Sequence, residues 1–220
     1  MIVRVTAAVV FDLDGVIVDS EQVWDEVRER YVLERGGRYG GWATRAMMGM
    51  SSTEWSRYIA GELGVPETPE QVNADVVERM LERYGEAPPL IPGAVEAVQA
   101  IGARWPAAVA SSSNPELIDV VLRRSGLDAV IGVVVSSQDV ARGKPAPDVY
   151  LEAARRLAVE PAACLAVEDS HNGIRSAHAA GMRVVAVPNP HFPPDDEALG
   201  HADLVIASVA ELTPEVVAAL

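Results

Sequence analysis

A chain of 220 residues with 49% apolar content carries enough apolar side chain to bury a sizeable core; this excludes disorder along its whole length and leaves room for one domain with an insertion or two small ones. Its formal net charge of −14 argues against nucleic acid or an anionic membrane as partner, because either needs a positive surface. No apolar run approaches the roughly 18–20 residues of a membrane span, and Cys164, alone of its kind, cannot form an internal disulfide.

The N-terminus enters a strand directly, without a basic stretch, an apolar segment and a cleavage site in succession, so a cytoplasmic protein is expected. Ala7 to Phe11 reads as a continuous apolar strand of the kind buried on both faces of a parallel sheet. It ends in Asp12, Leu13, Asp14 and Gly15, at the strand end where open α/β sheets bind ligands. Asp12 and Asp14 stand two residues apart, so on extended backbone both point to one side, and Gly15 lets the chain turn. Two carboxylates this close repel. A hard divalent cation such as Mg²⁺, which takes oxygen ligands and shares them with phosphate, is the usual remedy; a solvated Asp-rich turn is the plainer alternative.

After Asp19 the pattern becomes helical. Ser20 to Arg35 predicts a helix capped by Ser20, with Glu21 near its positive end and Gly36 and Gly37 as the stop. A Gly-rich stretch with Arg38, Tyr39, Trp42 and Arg45 leads to Met47, Met48, Gly49 and Met50. Ser51 opens a second predicted helix to Leu63, and Thr68 a third, with Val72, Val76, Val77, Met80, Leu81 and Tyr84 spaced for one apolar face. No convincing strand occurs in this block, and the proline-punctuated run Glu86 to Pro92 closes it. Residues 20–87 are therefore expected to form an inserted helical cap between two parts, 1–19 and 88–220, of one core domain.

From Gly93 onward helix and strand alternate. Predicted strands lie at 107–110, 132–135, 163–167, 183–187 and 204–206, and predicted helices at 93–103, 115–125, 148–157, 172–180 and from about 213. That alternation implies an α/β fold with a Rossmann-like, doubly wound parallel sheet. The strand at 107–110 runs into Ser111, Ser112, Ser113 and Asn114 just before a helix opened by Pro115, where hydroxyls and free amides bind phosphate or serve only as caps. Lys144 is the single lysine among 18 basic residues and sits in the patterned turn Gly143-Lys144-Pro145-Ala146-Pro147-Asp148. A compact ammonium used once in a chain that otherwise uses arginine points to a specific charge role. The strand at 163–167 ends in Glu168 and Asp169, two more acids at a sheet end, followed by Ser170 and His171.

Four strings carry a resemblance: FDLDGVIVDS at residues 11–20, Ser111 at a strand end, GKPAPD at 143–148, and VEDS with the spaced glycine, alanine and AGM that follow. In that order they resemble the motifs of the haloacid dehalogenase superfamily, phosphatase-type branch. The position of the insertion matches the helical-cap subclass that includes β-phosphoglucomutase and many small-molecule phosphatases.

The resemblance implies Asp12 as nucleophile and Asp14 as acid and base. It also implies a Mg²⁺ site from Asp12, the main-chain carbonyl of Asp14, Glu168 and Asp169. Ser111, Ser112, Lys144 and the backbone at Leu13 would hold the phosphoryl oxygens, and the Lys144–Pro145 bond would be cis. The resemblance assigns nothing to His171, which is read with His178, His191 and His201 as a surface or packing residue. Candidates to touch the leaving group are Trp24, Arg38, Arg45 and Met48; they could equally be cap core and solvated arginines.

Mutases of the family carry a histidine where this chain has Trp24, an arginine near Ser52 and a cap lysine, which is absent here. The expected reaction is therefore hydrolysis of a small phosphorylated metabolite, a sugar phosphate or a phosphoglycolate-like ester, with a mutase as the alternative. The same missing lysine argues against a phosphonatase, and Asp14 against a dehalogenase. A receiver-like phosphoacceptor or a non-catalytic binding protein is the reading from another class. A monomer is favoured over an oligomer.

Overall fold

The computed structural model describes residues 5–47, 50–190 and 193–220. The apolar runs become six strands, β1 Ala8–Phe11, β2 Ala107–Ser111, β3 Ile131–Ser136, β4 Cys164–Glu168, β5 Arg183–Ala186 and β6 Leu204–Val205. All pair in parallel, in the order β3-β2-β1-β4-β5-β6. This is the doubly wound order, and its direction reverses between β1 and β4, so a crevice opens beyond the carboxyl ends of those two strands. The helices are α1 Glu21–Glu34, α2 Gly41–Met47, α3 Ser52–Glu62, α4 Pro69–Glu86, α5 Ala94–Gly102, α6 Pro115–Ser125, α7 Asp148–Leu157, α8 His171–Ala179, α9 Asp196–Leu199 and α10 Pro214–Ala219.

Alternation of side chains along β1 divides the core in two. Val9 and Phe11 face one apolar cluster with Val98, Leu117 and Val121, whereas Ala8 and Val10 face another with Val149, Tyr150, Ile174 and Ala177. The first cluster runs on without a break into the helices between the first two strands, through Trp24, Tyr31, Trp55, Ile59, Val76 and Met80. Those four helices join the sheet through two runs that lie side by side: Asp19 N–H donates to Pro89 O at 2.8 Å and Ile91 N–H to Ile17 O at 2.9 Å.

Two local features depart from expectation. Ser20 precedes α1 but makes no cap bond with its side chain; the hydroxyl is drawn instead to Asp14 Oδ1, 2.5 Å away. The Gly-rich stretch contains α2, hidden because Gly40 and Gly41 begin it. Tertiary contacts override that poor propensity: Ala43 and Met47 are buried, and Thr44 Oγ1 donates to Asp25 Oδ1 on α1 at 2.6 Å. The expected cis bond at Lys144–Pro145 is present. Among the described residues no helix is long and apolar enough to cross a membrane.

Cys164 is fully buried in β4, where burial pushes its thiol up to about 11. A thiol is nucleophilic only as thiolate. The folded protein should resist a neutral aromatic disulfide reagent for hours and react at once in denaturant; rapid labelling of the native form would contradict the placement.

Candidate active site

Asp12 leaves the end of β1 with its amide bonded to Val167 O at 2.9 Å, which sets it beside Glu168 at the end of β4. Lys144 reaches into the same point from the turn after β3. Its Nζ donates to Asp12 Oδ1 at 2.8 Å, to Glu168 Oε1 at 2.6 Å and to Ala110 O at 3.0 Å. All three side chains are buried. Burial alone would pull the Lys144 ammonium down, but the Asp12 and Glu168 carboxylates outweigh it and hold it above its ordinary value.

Glu168 is saturated. Oε1 accepts from Lys144 and from the Tyr150 hydroxyl at 2.7 Å, and Oε2 accepts from the amides of Asp169 and Ser170 and from Ser170 Oγ. Tyr150 is a site residue the sequence did not reveal, since it reads there as one more core position of α7.

Asp169 is different: it is buried apart from its face on the cavity, and its carboxylate takes no hydrogen bond among the described residues. Burial, then the Glu168 and Asp12 carboxylates, push it well above the usual carboxylate range. Asp12 is raised to about 8, by burial first, with Lys144 opposing and Glu168 and Asp14 adding to the rise. Three buried carboxylates, Asp12, Glu168 and Asp169, offer oxygens within 4.8 Å of one another, against one ammonium. Oxygen donors in excess of positive charge are the donor set of a hard divalent cation. The open oxygens of Asp12 and Asp169, and the Asp14 carbonyl, which accepts no hydrogen bond among the described residues, fit such an ion.

Two glycines make room for these carboxylates. A Cβ on Gly173, in the first turn of α8, would lie 1.9 Å from Glu168 Cδ, and one on Gly15, whose φ is +84°, 1.9 Å from Asp169 Oδ2.

Asp14 faces the other way from the acidic trio. Its Oδ2 accepts from Ser113 Oγ at 2.7 Å and Ser111 Oγ at 3.3 Å, and its Oδ1 from Ser20 Oγ at 2.5 Å and Trp24 Nε1 at 3.5 Å. Ser111 is fully buried and orients Asp14, a contact additional to the phosphate role the resemblance implies. Ser113, unremarked within the run of three serines, makes the shorter bond. The amides of Leu13 and Asp14 have no acceptor among the described residues and remain available to an anion.

A cavity of about 120 Å³ lies over this point, with Asp12, Asp14, Ser112, Lys144 and Asp169 along one side and residues of α1–α3 along the other. Of the leaving-group candidates, Trp24 lines it; Arg38 and Arg45 are exposed and do not. Met48 lies outside the described residues, as does His191. The helices are latched to the sheet beside the cavity: Ser52 Oγ on α3 donates to Asn114 Oδ1, and Asn114 Nδ2 donates to Asn73 Oδ1 on α4 at 3.4 Å.

The family model for haloacid dehalogenase-like hydrolases matches residues 6–181. Hexitol phosphatase B of Escherichia coli is 30% identical, with 96% of each chain covered. A bifunctional riboflavin kinase/FMN phosphatase of Arabidopsis thaliana is 29% identical over 96% of this chain, which spans only 56% of that protein. The crystal structure of CbbY from Rhodobacter sphaeroides in complex with phosphate superposes with a TM-score of 0.85 at 25% identity, covering 98% of this chain and 100% of that one.

Two predictions test the packing and the charge imbalance. Gly173→Ala should destabilise by about 3 kcal/mol or more, because it displaces a carboxylate from a buried ion pair. Gly126→Ala, at φ +72° with no atom nearby, should cost only about 1–2 kcal/mol; equal losses in urea titrations would contradict the first assignment. Asp12 and Asp169 hold protons more tightly folded than unfolded, so folding takes up protons, and stability falls as pH rises from about 4 to about 8. In EDTA the melting temperature should drop across that window. A divalent cation such as Mg²⁺ should raise it more at the alkaline end; an equal rise at both ends would contradict the reading.

Proposed function

The chain belongs to the haloacid dehalogenase-like hydrolase family and is a phosphoric monoester hydrolase, and we propose that it is a Mg²⁺-dependent phosphatase of small phosphate monoesters, sugar phosphates or phosphoglycolate-like, working through an aspartyl-phosphate. The observation that carries this reading is the convergence of Asp12, Lys144 and Asp169 with the free amides of Leu13 and Asp14 below one cavity.

Asp12 attacks phosphorus in line from the end of β1, and the bond to the leaving oxygen breaks as the aspartyl-phosphate forms. Asp14, oriented by Ser20, Ser113 and Trp24, gives its proton to the leaving oxygen. It then accepts one from the water that attacks the phosphoryl group, which frees Asp12. Lys144, the amides of Leu13 and Asp14, and Ser112 hold the equatorial oxygens, while Ser111 fixes Asp14. Mg²⁺, held by Asp12, Asp169 and the Asp14 carbonyl with Glu168 behind them, would supply charge neutralisation for the transferred group.

Residues 20–87 act as a cap that closes the cavity against bulk water. Water is favoured over a second sugar hydroxyl as acceptor because Trp24 occupies the place of the mutase histidine and the only lysine, Lys144, lies outside the cap.

Phosphate release from a panel of sugar phosphates with Mg²⁺, run beside a β-glucose phosphate isomerisation assay, tests the reading. Release that EDTA abolishes, with no isomerisation, is expected. Asp12→Asn should fold normally and lower kcat by at least about 10³-fold; full activity in that variant would overturn the assignment.

A further inference from the structure

The wall of the cavity opposite Asp12 holds an arginine that the phosphatase reading does not use. Glu21, Trp24 and Arg28 recur at positions i, i+3 and i+7 on α1, one stripe of the helix, and all three line the cavity. The Arg28 guanidinium lies 4.6 Å from the centre of the Trp24 ring and 4.9 Å from that of Trp55. The rings are 5.8 Å apart and tilted by 55°, so the guanidinium lies against one side of a pair of contacting indoles, within cation–π reach of both. Its Nε is buried without a hydrogen-bond partner. Among the described residues Arg28 makes no ion pair, although most arginines of α1 and α4 do. Burial lowers it to about 10, which leaves it charged at neutral pH. Stacking on aromatic faces holds the side chain in place, and among the described residues no hydrogen-bond acceptor meets its donors.

Glu21 has the complementary deficit. Among the described residues its carboxylate takes no hydrogen bond or ion pair, and burial, then Asp14, raise it above the ordinary glutamate value, with the charge of Arg28 opposing. Asp25, also on this wall, is partly committed, since Oδ1 accepts from Tyr39 and Thr44. The wall therefore offers a free donor fork and a free acceptor, one helical turn to either side of an indole.

The charges say what kind of leaving group this suits. Asp12, Asp14, Glu21, Asp25 and Asp169 line the cavity against Lys144 and Arg28, and Lys144 is already engaged by Asp12 and Glu168. A second phosphate or a carboxylate on the leaving group would meet one cation and two carboxylates. A run of hydroxyls would donate to Glu21 and accept from Arg28, satisfying both.

We propose that Glu21 and Arg28 form a leaving-group subsite for neutral polyhydroxylated esters, polyol or sugar monophosphates, and that the same wall disfavours esters carrying a second anionic group. This rests on the phosphatase reading and narrows it, setting phosphoglycolate-like esters aside.

Steady-state kcat/KM with Mg²⁺ is measured for hexitol phosphate, glycerol phosphate, phosphoglycolate, fructose bisphosphate and, as a reference without hydroxyls, acetyl phosphate. The wild-type protein should favour hexitol phosphate over phosphoglycolate and the bisphosphate by about 100-fold or more. Arg28→Met should lower the ratio of hexitol phosphate to acetyl phosphate turnover by about 10- to 100-fold, and Arg28→Lys, which keeps the charge but not the fork, by less. Glu21→Gln should narrow the gap between hexitol phosphate and phosphoglycolate. Melting temperatures check that each variant folds. Preference for phosphoglycolate or the bisphosphate, or an Arg28→Met ratio equal to wild type, overturns the subsite while leaving the phosphatase reading intact. Failure of the wild-type protein to hydrolyse even acetyl phosphate overturns the phosphatase reading, and the subsite with it.

Discussion

Three buried carboxylates share one ammonium at the end of the sheet, and much else in the structure serves that arrangement. Lys144 satisfies one oxygen each of Asp12 and Glu168, both within 2.8 Å, whereas Asp169 has no side-chain ion pair among the described residues and turns to the cavity. Burying charge without a partner is expensive, and proteins meet the cost with a proton, a counter-ion or a ligand. The upward displacement of Asp12 and Asp169 shows the same deficit from the side of the proton. In a chain carrying a net charge of −14, these acids form the donor set of a divalent cation, and such an ion, together with Lys144 and the strand-end amides, would supply a positive field that the surface lacks.

The fold supplies the precision. Parallel strands bring their carboxyl ends to one edge, and the reversal of strand order between β1 and β4 leaves a crevice where Asp12 and Glu168 meet. Positions as distant as Asp12 and Lys144, separated by 132 residues, then lie in direct contact. Glycine at 15 and 173 is required by the space the Asp169 and Glu168 carboxylates occupy, so the motif glycines are packing partners of the acids as much as turn formers.

Most of this was legible in the sequence where a pattern is local. Apolar runs ending in Asp12, Ser111 and Glu168 marked strand ends, Thr68 and Pro69 marked the start of α4, and the single lysine stood out by composition. What escaped notice depends on contacts between distant segments. Ser20 reads as a helix cap and proves to bind Asp14; Tyr150 reads as core and proves to hold Glu168. Nothing in the local sequence marks Arg28, because Trp55, which lies against its guanidinium, is 27 positions away. Arg38 and Arg45, candidates to touch the leaving group, lie on the exposed side. Arg45 sits on the outer face of α2, and Arg38 in the segment that precedes that helix.

The account comes down to which carboxylate accepts the phosphoryl group. Acid quench during turnover of a good substrate, followed by borohydride reduction and peptide mass analysis, reads this directly. Reduction of an acyl phosphate converts the modified aspartate to homoserine, and the account predicts that residue at position 12 alone. Homoserine at Asp14 or Asp169 would contradict it, as would its absence under conditions where the leaving alcohol is released in a burst ahead of phosphate.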